Sequence, residues 1–487
     1  MTRILEIVPG ALVWVTIVAS IILSFVYPSP VIYFIILFDL YWLVKVFYFS
    51  FYLIMGWLRL RASEKIVWKE KLEQITDKNY LEYFHLIFLP TYKEEYEVLH
   101  ETFLSLLNTN YAKEKMIVVL AGEERDLIHF KEVANRIEQK FGSAFAKLLI
   151  TTHPSNLPDE IPGKGSNINW AGHEVKKFID EQGISYERII VSTFDVDTRV
   201  HREYFGNLTY AFLTHKNPLR SSFQPIPLYH NNLWDSPGVL RVAAFGTTFW
   251  LLAELMRPER LFTFSSHSMS FKALVDVDFW QKDIVSEDSR IFLQCFFRYD
   301  GDYTVTPLFV PVYMNTPRST SFWRSLRGLY LQQRRWAWGV ENIPYMISRF
   351  WRNGKINIGK KFKYGFNLME GMYSWATAPI LIFILGRLPL YVAGQDFKNK
   401  ALFANTPFTL EFLMTTAMMG VLFSAILSFF LLPKKPAKLP WWQNLSIVVQ
   451  WVFLPVTLII FGSLPAIDAQ TRLMLGKKLG FTVSEKK

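Results

Sequence analysis

The side chains best suited to chemistry in this chain are two carboxylates that follow a short apolar run. Asp195 and Asp197 come directly after residues 188–192, whose sequence Arg-Ile-Ile-Val-Ser is typical of a buried strand. Two carboxylates at a strand end can hold a hard divalent cation, which in turn binds a diphosphate. The same spacing recurs at Asp276 and Asp278, but no strand of an alternating pattern precedes that copy. The sequence therefore favours the first pair as a functional site.

A second acidic pair, Glu287 and Asp288, stands before the apolar stretch 291–296. One interpretation is structural, because acids in the first turn of a helix stabilise it by about 1 kcal/mol. The other is catalytic, because a positioned carboxylate can act as a general base and take the proton from an attacking hydroxyl. The residues alone leave both interpretations open.

The third candidate is the basic and aromatic segment that contains Gln332, Arg335 and Trp336. An arginine guanidinium binds phosphate oxygens with parallel donors, and a tryptophan ring offers a flat face to a sugar. The alternative is a helix lying on the membrane, with arginine stems in apolar surroundings and tryptophan at headgroup depth. The acidic motifs that precede the segment favour the ligand-binding interpretation.

Composition limits the class of protein. The chain has 487 residues, which is enough for about two or three domains. Its 53 Lys and Arg against 42 Asp and Glu give a net charge of +11, which suggests nucleic acid, an anionic membrane or a phosphorylated ligand. The 16 Trp and 16% aromatic content fit a membrane protein, so anionic lipid explains the charge and no nucleic-acid partner is expected. The single cysteine, Cys295, excludes an intramolecular disulfide.

Five apolar runs are long enough to cross roughly 30 Å of hydrocarbon as helices. They are residues 11–27, 31–57, 371–393, 408–432 and 441–464. A basic cluster follows the second run and places the next domain on the cytoplasmic side by the positive-inside rule. Its members are Arg59, Arg61, Lys65, Lys69 and Lys71.

The same rule leaves the side of the C-terminal tail open. The loop with Lys434, Lys435 and Lys438 is expected in the cytoplasm. A complete last crossing would then put the basic tail, which includes Lys486 and Lys487, outside. Either the last span is re-entrant or the rule fails here, and the sequence does not decide between them.

Residues 84–197 alternate between short apolar runs and helical patterns. The predicted strands are 84–89, 116–120, 147–150 and 188–192, and helices are predicted at 96–107 and 127–141. Strands separated by helices predict a parallel sheet, and such sheets bind ligands beyond the carboxyl ends of their strands. The residues expected at those ends include Thr91, Glu94, Glu123, the loop Gly163-Lys164-Gly165 and Asp195.

The order of these motifs resembles that of membrane-integrated family-2 glycosyltransferases and is similar to that of cellulose, chitin and hyaluronan synthases. The matching elements are Leu89–Glu94, Gly163–Asn169, Asp195–Asp197, Glu287–Asp288 and Gln332-x-x-Arg335-Trp336, within roughly residues 80–340. The resemblance implies a cytoplasmic, GT-A-like α/β domain that binds a nucleotide-sugar on a mixed, mostly parallel sheet. It also implies an all-α transmembrane region.

The resemblance assigns roles by position. Asp288 would be the general base, Arg335 would neutralise the departing diphosphate, and Gln332 and Trp336 would complete the catalytic group, with Trp336 beneath the acceptor sugar. The nucleotide-sugar would be bound by Thr91, Glu94, Glu123, Lys164 and Asp195, and Mg²⁺ or Mn²⁺ would be held by Asp195 and Asp197. The acceptor side would contain His267, Ser268 and Glu287, and His267 also has a structural interpretation.

One position departs from the family pattern. Members carry an Asp pair at the end of the second strand, where one acid contacts the nucleobase, whereas this chain has Ala121-Gly122-Glu123-Glu124. Under the resemblance Glu123 takes the place of that acid, and a UDP-sugar is the expected donor.

The predicted organisation has four parts. They are a transmembrane hairpin at 1–60, a cytoplasmic glycosyltransferase domain at 61–317, interface helices at 318–365, and a C-terminal transmembrane region with a basic tail at 366–487. The expected function is inverting, metal-dependent transfer to a glycan or lipid acceptor at the plasma (inner) membrane, among membrane lipids, with polysaccharide synthesis and export. Two alternatives stay open: a single addition to a polyprenyl-phosphate or glycolipid, and a nucleotide-sensing membrane transporter without turnover.

Overall fold

A single mixed sheet forms the centre of the computed structural model, which describes residues 2–398, 400–440 and 442–480. The strands are β1 (Phe84–Pro90), β2 (Met116–Glu123), β3 (Lys147–His153), β4 (Ile189–Thr193), β5 (Arg199–Val200), β6 (Ser221–Leu228), β7 (Ser268–Ser270) and β8 (Thr304–Tyr313). Their order across the sheet is β3-β2-β1-β4-β7-β6-β8-β5. Trp441, which begins the last predicted span, and Lys486 and Lys487 of the predicted tail lie outside the described residues.

The first four strands form the parallel half of the sheet, as the sequence predicted. β1 pairs in parallel with β2 and β4, and β2 pairs in parallel with β3. β7 is antiparallel to β4 and β6, so the whole sheet is mixed. β1 and β2 are buried almost throughout, which explains their uninterrupted apolar sequence. β2 and β3 continue beyond the predicted ends at 120 and 150, because Glu123 still pairs with His153 across the two strands.

Helices surround the sheet and continue into the apolar parts of the chain. In chain order they are α1 (Thr2–Val26), α2 (Pro28–Ser63), α3 (Trp68–Glu73), α4 (Tyr96–Leu107), α5 (Leu127–Phe141), α6 (Lys164–Glu181), α7 (Tyr204–Thr214), α8 (Gly238–Leu255), α9 (Phe271–Asp276), α10 (Glu287–Arg298), α11 (Phe322–Ala337), α12 (Asn342–Arg352), α13 (Ile358–Ile380), α14 (Leu388–Val392), α15 (Gln395–Lys398), α16 (Ala401–Phe430), α17 (Trp442–Val449), α18 (Leu454–Leu458) and α19 (Leu464–Met474). The bounds of α4 and α5 match the predicted helices.

The start of α6 corrects one prediction. Gly163-Lys164-Gly165 was expected to be a loop, but Lys164 is the first residue of the helix. The reason lies two residues further on, where the Ser166 Oγ atom accepts a hydrogen bond from the Gly163 N–H at 3.2 Å and so satisfies a free donor at the helix start. Lys164 therefore has a fixed backbone.

Six helical segments of the described chain are long and apolar enough to cross a membrane, where the sequence predicted five. They are Arg3–Val26, Pro28–Ser63, Gly238–Leu255, Ile358–Val392, Ala401–Phe430 and Trp442–Met474. The segment missed from the sequence is α8, whose mean hydropathy of 1.3 is the lowest of the six. It is also the most enclosed, since 67% of it is buried inside the protein.

α8 connects the apolar hairpin to the sheet. On one side it packs against α2, where Gly56 permits a close approach, because a Cβ atom there would lie 2.6 Å from the Leu252 carbonyl oxygen. On the other side Thr248 Oγ1 donates to the Pro227 carbonyl of β6 at 2.7 Å. The apolar helices are thus attached to the sheet whose strand ends carry the acidic motifs.

Candidate active site

A buried ammonium group joins acids from separate parts of the chain. Lys164 Nζ donates to Asp195 Oδ1 at 2.9 Å and lies 3.0 Å from both carboxylate oxygens of Asp288. Glu287 Oε1 lies 3.9 Å from the same nitrogen. Asp195 follows β4, Lys164 begins α6 and Asp288 lies in the first turn of α10. The Lys164 cluster, meaning these four residues, therefore forms where a strand end meets two helix N-termini.

Two close contacts hold Lys164 in this place. Asn167 Nδ2, in the first turn of α6, donates to the Ala121 carbonyl at 2.8 Å and ties the helix to β2. Gly165 lies against α10, because a Cβ atom there would be only 3.3 Å from Glu287 Cβ. The glycine and the asparagine of the Gly-Lys-Gly-Ser-Asn run thus position the lysine between them.

The electrostatics of the cluster favour the charged form of Lys164 and the neutral form of Glu287. Burial by itself would lower the pKa of Lys164. The neighbouring carboxylates, Asp195 first and then Asp288 and Glu287, outweigh burial and raise this pKa well above its usual value. Burial also raises the pKa of Glu287 to about 8, and Asp288 acts in the same direction, while Lys164 and Arg335 oppose the shift. At neutral pH Lys164 is therefore charged and Glu287 is protonated.

Asp197 and Arg335 both act electrostatically on one buried residue, Tyr229. Asp197 Oδ2 accepts the Asn315 backbone N–H at 3.2 Å, just after β8. The buried Tyr229 hydroxyl responds to charges on both sides: burial raises its pKa, Asp195 and Asp197 raise it further, and Arg335 lowers it. Because Coulomb effects weaken with distance, these three charges all lie near this hydroxyl. The charges of Asp195, Asp197 and Arg335 thus all act on the Tyr229 hydroxyl.

α11 carries the basic and aromatic segment to the site. Gln332 is buried, and Trp336 packs against the apolar cluster that contains Tyr229. Arg334 Nη1 donates to Asp468 Oδ2 of α19 at 2.9 Å. α11 is therefore held on one side by the site and on another by the C-terminal helix.

The predicted acceptor-side residues lie in two different places. His267 is fully buried, and its Nδ1 atom lies 2.9 Å from the Phe264 carbonyl and 3.9 Å from Asp288 Oδ1. Burial lowers its pKa, so the ring is neutral at pH 7. Ser268 lies within the sheet, where its hydroxyl bonds to the Ser192 hydroxyl at 2.7 Å. The structure brings His267, but not Ser268, next to the proposed base.

The predicted nucleotide-side residues lie at the ends of β1 and β2. Thr91 Oγ1 donates to Glu94 Oε2 at 2.9 Å and closes a turn after β1. Glu123 is buried and accepts from Arg125 Nε at 2.9 Å. The Arg125 guanidinium in turn lies 4.5 Å from the centroid of the Tyr92 ring. Arg125 belongs to this edge of the sheet and was missed from the sequence, although a base two residues after a strand-end acid is a usable signal.

A further polar pair was missed at the end of β3. His153 Nε2 lies 2.8 Å from Glu160 Oε1, and their side chains are only 4% and 5% exposed. Burial lowers the pKa of His153 to about 4 and raises the pKa of Glu160. Because His153 pairs with Glu123 across β2 and β3, this pair adjoins the nucleotide-side residues. Tyr229, which directly follows β6, is the other missed residue, and no sequence pattern marks it.

The donor set for a divalent cation is small. Carboxylate oxygens are the ligands that Mg²⁺ and Mn²⁺ prefer, so Asp195 and Asp197 fit such an ion by type. No group of three or more His, Cys, Asp and Glu side chains that could hold a metal ion occurs within residues 2–398, 400–440 and 442–480. Asp195 and Asp197 would therefore supply only part of the oxygen shell of such a cation.

The repeated acidic spacing at Asp276 and Asp278 has a structural role. Asp276 accepts hydrogen bonds from Lys272 Nζ at 2.5 Å and from the Tyr299 hydroxyl at 2.7 Å. The Asp278 side chain is 87% exposed. The two carboxylates thus make separate contacts away from the Lys164 cluster.

Similar solved structures include proteins in complex with sugar nucleotides. The mannosyltransferase PcManGT from Pyrobaculum calidifontis, in complex with GDP-Man and Mn²⁺, is 13% identical with a TM-score of 0.44, over 80% of this chain and 99% of that chain. S. aureus TarS 1-349 in complex with UDP-GlcNAc is 13% identical with a TM-score of 0.32, over 71% of this chain and 91% of that chain. No protein-family model matches the chain, and no curated protein does. The structural neighbours are glycosyltransferases, and at these TM-scores they place this chain in no family.

Proposed function

We propose that this chain is an integral-membrane glycosyltransferase that takes its sugar from a nucleotide-sugar. The observation that carries the proposal is the Lys164 cluster, in which the acid after β4 and the acid at the start of α10 share one buried ammonium group. Both carboxylates lie within 3.0 Å of Lys164 Nζ. Asp195, proposed to bind the donor, and Asp288, the candidate base, are therefore close enough to contact one bound nucleotide-sugar.

The proposed reaction is a single displacement with inversion. Asp288 takes the proton from the acceptor hydroxyl as its oxygen attacks the anomeric carbon, and the bond from that carbon to the diphosphate oxygen breaks. Arg335 stabilises the negative charge that develops on the departing nucleoside diphosphate. Asp195 and Asp197 would hold Mg²⁺ or Mn²⁺, which would supply positive charge to the diphosphate.

The remaining assignments follow from this role. Glu123 and its neighbours at the ends of β1 and β2 would face the nucleotide of the donor, which we propose to be a UDP-sugar. The acceptor would be a glycan or a lipid at the cytoplasmic face of the plasma (inner) membrane. We retain as a proposal the division into 1–60, 61–317, 318–365 and 366–487, in a GT-A-like catalytic domain with membrane helices.

The decisive experiment is transfer by purified full-length protein, reconstituted in lipid, from a panel of labelled nucleotide-sugars with Mg²⁺ or Mn²⁺. Asp288→Asn is the loss-of-function variant, and Asp278→Asn is the matched control because its side chain is exposed. We expect Asp288→Asn to lower kcat about 10²- to 10⁴-fold, the usual range for loss of a general base. Equal turnover in all three proteins would remove Asp288 as the base.

Product length separates the alternatives within the enzyme class. A ladder of long products supports polysaccharide synthesis with export, whereas one added sugar supports single addition to a polyprenyl-phosphate or glycolipid. Nucleotide binding without transfer from any donor would instead favour a nucleotide-sensing membrane transporter.

A further inference from the structure

A basic cleft lies outside the proposed active site. It has a volume of about 340 Å³, and its lining includes Phe297, Asp300, Arg349, Arg352 and Lys355. These residues come from the end of α10 and the turn after it, the end of α12 and the loop that follows α12. The first turn of α10 carries the proposed base, ten residues before the last residue of the helix. At 1.5 Å per residue, the cleft is about 15 Å from that base along the helix.

The cleft has more positive than negative charge. Arg349, Arg352 and Lys355 supply three cations, and Asp300 is the one acid in its lining. Asp300 forms an ion pair with Lys355, because its carboxylate accepts a hydrogen bond from Lys355 Nζ at 2.9 Å. Arg349 stacks on the Tyr345 ring with its guanidinium carbon 3.7 Å from the centroid, a contact that leaves its in-plane N–H groups available. Two guanidinium groups therefore remain for an anion, and a phosphate is the anion that their geometry suits.

The cleft also lies where the chain passes from basic loop to apolar helix. The next helix, α13, opens the candidate span Ile358–Val392. Ile358, Phe362 and Phe366 recur every fourth residue on its first turns and are 77%, 72% and 57% exposed. An exposed apolar stripe beside basic residues is suited to the boundary between lipid headgroups and acyl chains. Trp351, at the end of α12, is 81% exposed, as is typical of the tryptophans found at headgroup depth.

We propose that this cleft binds the phosphate of an anionic phospholipid headgroup. The cleft carries a net positive charge, which attracts the anionic lipids of the leaflet. The exposed apolar stripe and Trp351 place the cleft at the depth of the lipid headgroups. The site is separate from the proposed transfer reaction and does not depend on it. Phe297 lies on the helix that begins with the Glu287–Asp288 pair, so a bound headgroup also holds the far end of that helix.

The experiment is titration of the full-length protein in neutral detergent, measured by calorimetry, with three probes. These are short-chain phosphatidylglycerol, short-chain phosphatidylcholine and inorganic phosphate. We expect phosphatidylglycerol to bind at least about tenfold more tightly than either of the others, because only it combines a net negative phosphate with acyl chains. Equal binding of the two lipids would overturn the proposal. Inorganic phosphate binding as tightly as phosphatidylglycerol would also overturn it, because the ligand would then be a free anion.

Two variants test the residues. Arg349→Gln with Arg352→Gln should weaken binding of phosphatidylglycerol about 10- to 100-fold. The matched control, Lys131→Gln with Lys147→Gln, removes two exposed charges from the sheet domain and should leave binding unchanged. Because loss of Arg349 also removes its stacking on Tyr345, Arg352→Gln alone provides a second test and should weaken binding in the same direction. Unchanged binding in Arg352→Gln and in the double variant would overturn the assignment.

Discussion

Lys164 Nζ lies 3.0 Å from both carboxylate oxygens of Asp288, 124 residues further along the chain. The lysine side chain is only 10% exposed. A buried ammonium group at this distance fixes the orientation of the carboxylate and supplies its counter-charge. The proposed base is therefore positioned by α6, although it belongs to α10.

Replacing Lys164 by Met should destabilise the protein strongly. Removing one partner of a buried ion pair costs about 3–5 kcal/mol, because the remaining charges stay buried without compensation. The measurement is thermal unfolding in detergent. Lys176→Met is the control on the same helix, since its ion pair with Asp180 is exposed and solvent screens it. Equal stability of the two variants would contradict the buried ion pair.

Glu287 should give the protein a pH-dependent stability that Glu287→Gln lacks. Burial raises the pKa of Glu287 to about 8 in the folded protein, against a usual value of 4.5. The folded state thus keeps a proton that the unfolded chain releases. The contribution of this proton to the free energy of unfolding is fully present below pH 4.5. It is lost as the pH rises through about 8, by at most about 1.4 kcal/mol per pH unit.

The side chain of Glu287→Gln is neutral at every pH. The stability of this variant relative to wild type should therefore increase as the pH rises from about 6 to about 9. The measurement is the difference in thermal unfolding between the two proteins across this range. Parallel curves for wild type and Glu287→Gln would show that Glu287 is not protonated in the folded state.

Asp468→Asn should impair turnover through α11. Asp468 Oδ2 accepts from Arg334 Nη1 at 2.9 Å, and Asp468 Oδ1 accepts from Arg472 Nε at 2.7 Å. Arg334 precedes Arg335 on α11, so a shift of this helix displaces the residue proposed to stabilise the diphosphate. We expect kcat to fall about 10- to 100-fold with a smaller change in donor KM, because misplacement affects the transition state most.

Arg472→Gln is the control for this prediction, because it leaves the bond between Arg334 and Asp468 intact. The exchanged pair Arg334→Asp with Asp468→Arg should recover part of the activity. A loss in Arg472→Gln equal to that in Asp468→Asn would indicate a general defect of α19 instead.

The last apolar segment, Trp442–Met474, should be re-entrant. Near its start Gln450 Oε1 accepts from Arg241 Nε of α8 at 2.7 Å. Near its end Asp468 binds Arg334 of α11. Since α8 packs on β6 and α11 leads to the candidate active site, both ends of the segment lie on the side of the sheet.

Cysteine labelling measures this arrangement directly. Cys295 is buried, and Cys295→Ser gives a background without other cysteines. Lys438→Cys and Lys478→Cys should then react with an impermeant maleimide from the same side of the membrane. Tyr27→Cys, in the turn between α1 and α2 and 62% exposed, should react from the opposite side. Labelling of the two lysine positions from opposite sides would mean that the segment crosses completely.

The local elements were largely predictable from the sequence. The pattern of apolar residues within each segment predicted the bounds of α4 and α5. The alternation of strands and helices predicted that β1 to β4 run parallel. The structural interpretation of Glu287 and Asp288 as acids in the first turn of a helix agrees with α10, which begins at Glu287. α8 was not predicted because burial inside the protein lets it carry the charged residues Arg241 and Glu254 and two threonines, which lower its hydropathy.

The sequence by itself determined the types of side chain available for chemistry and the elements that carry them, since both depend on neighbours within a few turns or strands. Only the tertiary structure decided which of them meet. It brought Lys164 between Asp195 and Asp288, placed Ser268 inside the sheet and packed Trp336 against the cluster that contains Tyr229. Such contacts arise from packing between segments far apart in the chain, and no local pattern of residues encodes that packing.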